Sequence, residues 1–224
     1  MKNKTIAIYV FIDDLLKKIG HKEPICRKTT DAEIIIVALI SGLFFHGHID
    51  NAINFVKSHG YMPNMLSKSR FNRRIHAIYD LVINLFFKIS VVIKKHSITS
   101  EYSIDSFPAP ICENIRIARS KIVNGEVYRG FKASKRQYFY GFTVQIIATV
   151  DGIPVEFAIH PGSIHDSEGM KYLFFESLEN STIYGDSAYT GYLFEEQLKE
   201  IENIQFMIAK KVILKENANH GKNT

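Results

Sequence analysis

The hydrophobic period of this chain changes once, near residue 100, and that change constrains the fold more than any other property of the sequence. Before it, apolar residues recur at helical spacing; after it, they alternate two by two, as strands require. A chain of 224 residues has room for both kinds of core. The reading is therefore an all-helical region over residues 1–97, followed by a mixed α/β region over 98–224.

In the helical region, Asp31-Ala-Glu opens an apolar run that ends near Phe45, with Thr30 or Asp31 as N-cap. A short helix over 50–57 closes at His59-Gly60 and Pro63. Ser67 or Ser69 caps a third helix, which carries Arg70, Arg73, Arg74 and His76 into the apolar segment 81–93. Positions 70, 73, 74 and 77 share one face at helical spacing. A short helix followed by an arginine-bearing one is the pattern of a helix-turn-helix. A helical bundle with a basic exposed face accounts for the same pattern, and both readings stay open.

In the second region, Tyr102-Ser-Ile-Asp105 reads as a short strand ending in an acid, broken by Pro108 and Pro110. Residues 138–150 alternate well, Asp151-Gly152 is a hairpin signal, and 153–160 returns as the partner strand, with Pro154 leaving the tip incompletely paired. A helix over 167–178, a strand ending at Asp186, a helix over 191–201 and a last strand over 205–209 complete the order. That order describes mixed α/β with an antiparallel hairpin, and excludes a doubly wound parallel sheet.

Asp105 and Asp186 occur in matching contexts, each closing an apolar strand and each followed by serine. Carboxylates at neighbouring strand ends converge on a point beyond the sheet, where hard cations take oxygen ligands. Two such ions activate an attacking hydroxyl and stabilise a leaving oxygen at phosphorus. The plainer account is that each aspartate caps a turn. Between them lie Arg116, Arg119, Lys121, Arg129, Lys132, Lys135 and Arg136, interleaved with aromatic residues and with Glu126 as the one acid over 116–136. Such a segment suits phosphates and unpaired bases, although a solvated loop has the same composition. His165-Asp166 precedes a helix, where Asp166 or Ser167 serves as an N-cap; a role supporting the metals is the alternative.

Composition narrows the classes further. The net charge of +5 does not by itself require nucleic acid, so the placement of the basic residues matters more. Cys26 and Cys112 form neither a disulfide framework nor a zinc pattern. No apolar stretch reaches the roughly 20 residues that span a bilayer, and no signal-peptide pattern opens the chain, so the expected location is the cytoplasm, away from membranes.

In order, Tyr102-Ser-Ile-Asp-Ser-Phe-Pro, Tyr128-Arg-Gly-Phe-Lys-Ala-Ser-Lys-Arg-Gln-Tyr-Phe-Tyr-Gly, Asp151-Gly-Ile-Pro-Val-Glu-Phe, Pro161-Gly-Ser-Ile-His-Asp and Tyr184-Gly-Asp-Ser-Ala-Tyr resemble bacterial DDE transposases of insertion sequence family 982. The resemblance covers essentially the whole chain. It implies a ribonuclease H-like core, two divalent ions (Mg²⁺ or Mn²⁺) held by an Asp-Asp-Glu triad, and cutting and joining of DNA at a mobile element's terminal inverted repeats and its target. Asp105 would be the acid shared by both ions, and Asp186 the second acid. Family members would be expected to act as homo-oligomers.

The departure from the pattern is at the C-terminus. The family's third acid is a glutamate on a helix after the last strand, whereas Glu216 is the only acid beyond residue 209 and its surroundings are too polar for a packed helix. Glu195, Glu196, Glu200 and Glu202 precede that strand, in the wrong place. The expectation is a sheet incomplete at its C-terminus, an exposed apolar face, and a truncated, inactive enzyme. The alternatives are a nuclease of the same fold, or a non-catalytic DNA-binding fragment that inhibits the intact transposase.

Overall fold

The computed structural model describes residues 2–97, 99–123, 125–132 and 136–209. Expectations placed on Lys135 and on residues 210–224, Glu216 included, lie outside the described residues. The chain forms two compact units, divided between Lys88 and Ile89.

The first unit contains α1 (Lys2–Lys18), α2 (Asp31–Phe45), α3 (Ile49–Ser58), α4 (Lys68–Ala77) and the start of α5 (Tyr79–His96). α2 begins where it does because Thr30 and Glu33 form a capping box. The Glu33 N–H donates to Thr30 Oγ1 at 3.1 Å, and the Thr30 N–H donates to Glu33 Oε2 at 2.8 Å. Ile34, Ile36, Ile40, Val56 and Phe71 are fully buried and form the centre of this core. The single helix expected over residues 67–93 is two, bent by 59° at Ile78. No glycine or proline stands there, so the local sequence does not account for the bend. No single helix among the described residues is long and apolar enough to cross a membrane.

The second unit is built on a mixed sheet of β1 (Glu101–Glu113), β2 (Arg129–Lys132), β3 (Gln137–Thr149), β4 (Pro154–Pro161), β5 (Thr182–Gly185) and β6 (Gln205–Ile208). β3 pairs antiparallel with β1 on one edge and with β4 and β2 on the other. β1, β5 and β6 run parallel. Three antiparallel strands continued by parallel ones, with helices between the parallel members, is an arrangement of the ribonuclease H-like type. The β3–β4 hairpin turns at Gly152, whose φ of +79° is open to glycine at little cost. A register shift between Ile147 and Ala148 accompanies the incomplete pairing beside Pro154.

Two sequence expectations give way here. Pro108 and Pro110 do not break β1, which runs through both. β5 pairs with β1 only as far as Ser103, so beyond that point one edge of β1 is open. Two prolines two residues apart point their missing N–H groups the same way, and an open edge tolerates that. The helix expected over 167–178 is a single α turn, α6 (Asp166–Gly169), followed by 3₁₀ turns at Met170–Tyr172 and Glu176–Leu178. Leu173 and Phe175 are both buried. Residues two apart on a continuous helix lie on opposite sides, so the break lets both reach one core.

That core, on one face of the sheet, gathers Tyr102, Ile104, Ile147, Val155, Met170, Leu178, Ile183, Tyr189 and Ile204. The helix α7 (Tyr192–Glu202) contributes Leu198. Phe107, Ile159, Tyr184 and Met207 remain exposed.

Candidate active site

The parallel register of β1 and β5 brings Asp105 and Asp186 together. Ser103 pairs with Tyr184, and the same offset carried two residues on sets Asp105 level with Asp186. Adjacent strands are about 4.8 Å apart, so the two carboxylates leave the backbone as close neighbours. Asp105 does not end its strand, as its sequence context indicates; it sits inside β1 at the point where β5 stops. Asp186 directly follows β5. Their equivalence is one of position across the sheet.

Each carboxylate is steadied by a local backbone amide. The Ser106 N–H donates to Asp105 Oδ1 at 2.7 Å, and the Ala188 N–H donates to Asp186 Oδ1 at 2.8 Å, starting a 3₁₀ turn at Ser187–Tyr189. Asp186 is thus the cap that the plainer account expects, and it also lines the cleft described next.

Both acids border an open cleft of about 970 Å³, shared with Ser106, Thr143, Lys132, His165, Asp166 and Tyr189. His165 is the N-cap of α6, its Nδ1 accepting from the Ser167 N–H at 3.3 Å. Asp166 is therefore not needed as a cap, contrary to the simplest reading of the sequence. Its Oδ1 accepts a 2.8 Å hydrogen bond from Ser106 Oγ. Buried Gln145 holds its main chain, Nε2 donating to the Asp166 carbonyl at 2.6 Å. Gly169 lies against Gln145 and His160 so closely that a Cβ there would stand 2.5 Å from His160 Nε2.

Beneath the acids, Tyr189 is 1% exposed. Its hydroxyl makes no hydrogen bond of good geometry among the described residues, although the Ser106 hydroxyl lies near it. Burial holds this phenol far above the usual tyrosine range, and the charges of Asp166, Asp105 and Asp186 add to that effect. Ser106, Thr143, Gln145 and Tyr189 were not singled out from the sequence. The available signal was adjacency: Ser106 follows Asp105, and Tyr189 closes the Asp186-Ser-Ala-Tyr motif.

Among the described residues, none of the three aspartates forms an ion pair. Three carboxylates around one cleft without a cationic partner repel one another, and oxygen donors of this kind suit a hard divalent cation. The three do not gather their ligand atoms within 4.8 Å of one another as His21, Glu23 and Asp31 do, so the oxygen chemistry of the cleft suits a divalent ion whose remaining ligands are water or phosphate.

The basic residues divide by placement. Arg116, Arg119, Lys121 and Arg136 are exposed. Arg129 pairs with Glu126 at 3.3 Å and covers the Tyr138 ring at 4.6 Å. Lys132 lines the cleft and pairs with Glu113, an acid just outside the basic stretch 116–136. In α4, Arg70 and Arg73 are exposed, but Arg74 is committed within the protein, its Nε donating to Asp31 Oδ1 at 2.8 Å. Residues 59–67 separate α3 from α4, longer than the three or four residues of a helix-turn-helix turn.

A second acidic group, His21, Glu23 and Asp31, has ligand atoms within 4.8 Å of one another. Arg74 and Arg27 already neutralise it, Arg27 approaching Asp31 at 3.3 Å. Guanidinium groups occupy the place a cation would take, so this group is a structural ion-pair knot.

A family model described as the transposase DDE domain matches residues 95–224, the part of the chain that carries the sheet and the cleft. No curated protein and no solved structure matches the chain.

Proposed function

We propose, since the chain belongs to the family of transposase DDE domains, that it cuts and joins DNA at the ends of an insertion element of the family 982 type, with Asp105 and Asp186 as metal-holding acids. One observation carries this reading: Asp105, beyond the point of β1 where β5 stops, and Asp186, directly after β5, line one cleft and form no ion pair among the described residues.

Divalent ions bound there, Mg²⁺ or Mn²⁺, would activate the attacking hydroxyl and offset charge on the transferred phosphoryl group. The protein's part is positioning. Asp105 and Asp186 offer the carboxylate oxygens left free by their backbone hydrogen bonds. Asp166, held by Ser106 and Gln145, presents a third carboxylate from α6. Lys132 brings positive charge to the cleft wall, where phosphate would lie. Arg116, Arg119, Lys121, Arg129 and Arg136 extend that charge along the insertion, and Arg70 and Arg73 offer it separately on α4. The substrate is the element's terminal inverted repeats and then target DNA, handled by a homo-oligomer that pairs two ends.

A second reading is DNA binding without chemistry, with the protein inhibiting an intact transposase. The acids lining the cleft are aspartates, and no described glutamate joins them. Nicking of end-sequence DNA in the presence of Mg²⁺ or Mn²⁺ decides between the two. Catalysis requires that nicking occur and be lost in Asp105→Ala and Asp186→Ala. DNA binding that persists in both variants, with no nicking by the unaltered protein, supports the second reading.

A further inference from the structure

The lining of the cleft includes an aromatic ring that the chemistry above does not use. Phe131 lines the cleft and is 53% exposed. Across the β2–β3 ladder it pairs with Tyr138, itself 49% exposed. The two ring centroids are 5.0 Å apart, with planes tilted by 53°. Behind them the Arg129 guanidinium covers the Tyr138 ring at 4.6 Å. The result is a contiguous group of one cation and two tilted rings, with the half-exposed Phe131 ring on the cleft.

Single exposed aromatics on a protein surface need no explanation. This pair differs in its surroundings. A cross-strand aromatic pair serving only the sheet would gain by covering itself, yet both rings stay half open. The cleft wall also carries Lys132, Ser163, His165 and Asp166 beside the apolar Pro108, Phe139 and Ile164. Exposed Arg136 immediately precedes β3, and the Arg129–Glu126 pair is solvent-exposed, too weak to withhold the guanidinium from a phosphate. An apolar plate flanked by cations is complementary to a nucleotide: a flat base on the ring, and its phosphate on the basic side chains.

We propose that Phe131, backed by Tyr138 and Arg129, is a stacking site for an unpaired DNA base next to the scissile phosphate. This rests on the reading of the cleft as the place of DNA strand transfer. Inside a duplex both faces of a base are covered by its neighbours. A base frayed or swung out at the end of a strand has a free face, and strand ends are what this chemistry creates. The plate then fixes the terminal nucleotide so that its phosphate lies in the cleft that Lys132, Asp105 and Asp186 line.

The test is fluorescence anisotropy on the full chain, without divalent ions. The probes are a labelled oligothymidylate and an abasic strand with the same number of phosphates. The base-bearing strand is expected to bind about tenfold more tightly, as for stacking of a base on an aromatic side chain. Phe131→Ala should abolish that preference, and Phe131→Tyr, which keeps the ring, should retain it. Thermal melting of both variants separates loss of stacking from loss of fold. Equal binding of the two strands by the unaltered protein overturns this proposal alone, as does a preference that survives Phe131→Ala or is lost in a well-folded Phe131→Tyr. Failure to bind either strand overturns it together with the DNA-transfer reading.

Discussion

Ser106 Oγ donates a 2.8 Å hydrogen bond to Asp166 Oδ1, and this contact ties the strand that carries Asp105 to the turn that carries His165 and Asp166. Ser106 serves both acids, since its main-chain N–H holds Asp105 Oδ1 at 2.7 Å. Replacing it with alanine keeps the backbone bond and removes the other. Ser106→Ala is expected to lower metal-dependent nicking by about tenfold or more, the usual effect of losing a group that orients a metal-binding carboxylate. Stability should fall by only about 1 kcal/mol, the net worth of one hydrogen bond. Single-turnover nicking and urea unfolding on the same preparation check both halves.

The paired aspartates make a separate thermal prediction. An ion that binds only the folded protein stabilises it by about 2.7 kcal/mol at a hundredfold excess over its dissociation constant. Mn²⁺ should therefore raise the melting temperature of the unaltered protein. Asp105→Asn and Asp186→Asn should abolish that rise, while their ion-free melting temperatures stay level or increase, because each removes a like charge from the cleft. An undiminished Mn²⁺ response in both variants would remove these residues from the metal site.

What could be read from the sequence was whatever is written in short windows. The change of period, the Asp151-Gly152 turn and the Thr30–Glu33 cap are local, and each leads directly to its element. The two aspartates drew notice through their neighbours, but their adjacency depends on β1 and β5 running parallel across a gap of about eighty residues, which no local pattern encodes. The course of β1 through Pro108 and Pro110 depends on β5 being short, and the broken helix after Gly169 on two buried side chains two residues apart. Ser106, Gln145 and Tyr189 act through contacts that exist only once the sheet has formed. Arg74 shows the same limit in reverse: basic in the sequence, it is spent on Asp31 in the fold.

Gly169 tests the packing beneath the cleft. A Cβ at this position would lie 2.5 Å from His160 Nε2 and 2.7 Å from Gln145 Nε2, and both side chains are buried. Gln145 cannot withdraw without disturbing its hydrogen bond to the Asp166 carbonyl, and His160 Nδ1 is bonded to the Pro161 carbonyl at 3.1 Å. Gly169→Ala is expected to cost about 1–3 kcal/mol, as overpacking does, and to lower nicking through displaced Asp166. Urea unfolding measures the first effect. A variant as stable and as active as the unaltered protein would show that the site yields freely.

The buried pair of Lys94 and Glu156, 4.0 Å apart, predicts how stability varies with pH. Burial raises the Glu156 carboxyl from its ordinary 4.5 to about 7, against the opposing pull of Lys94. Between those values the folded protein keeps a proton that the unfolded chain releases. Stability from this group is therefore greatest at low pH, and declines as pH rises from about 4.5 to about 7, by at most about 3 kcal/mol. Glu156→Gln should remove that decline. The measurement is the difference in unfolding free energy between the two proteins at pH 5 and at pH 7.5, in which the titrations they share cancel. A difference independent of pH would rule out the raised carboxyl.

Arg73 and Arg74 are neighbours in sequence with opposite expected roles. Arg74 reaches Asp31, whose side chain is 1% exposed, and stands 3.6 Å from Glu23. Removing it leaves an inward-facing carboxylate with Arg27 and His21 as its side-chain partners among the described residues. Arg74→Met should cost about 3 kcal/mol or more, because a broken buried ion pair strands its remaining charge. Arg73 is exposed, and among the described residues it makes one long hydrogen bond, to the Ser69 carbonyl at 3.4 Å. Arg73→Ala should leave stability within about 0.5 kcal/mol. If α4 lies on DNA, the same change should weaken binding and lower the dependence of log K on log salt by about one. An unchanged salt slope in both Arg70→Ala and Arg73→Ala would assign the basic face of α4 to solvent, and leave DNA recognition to the insertion around β2.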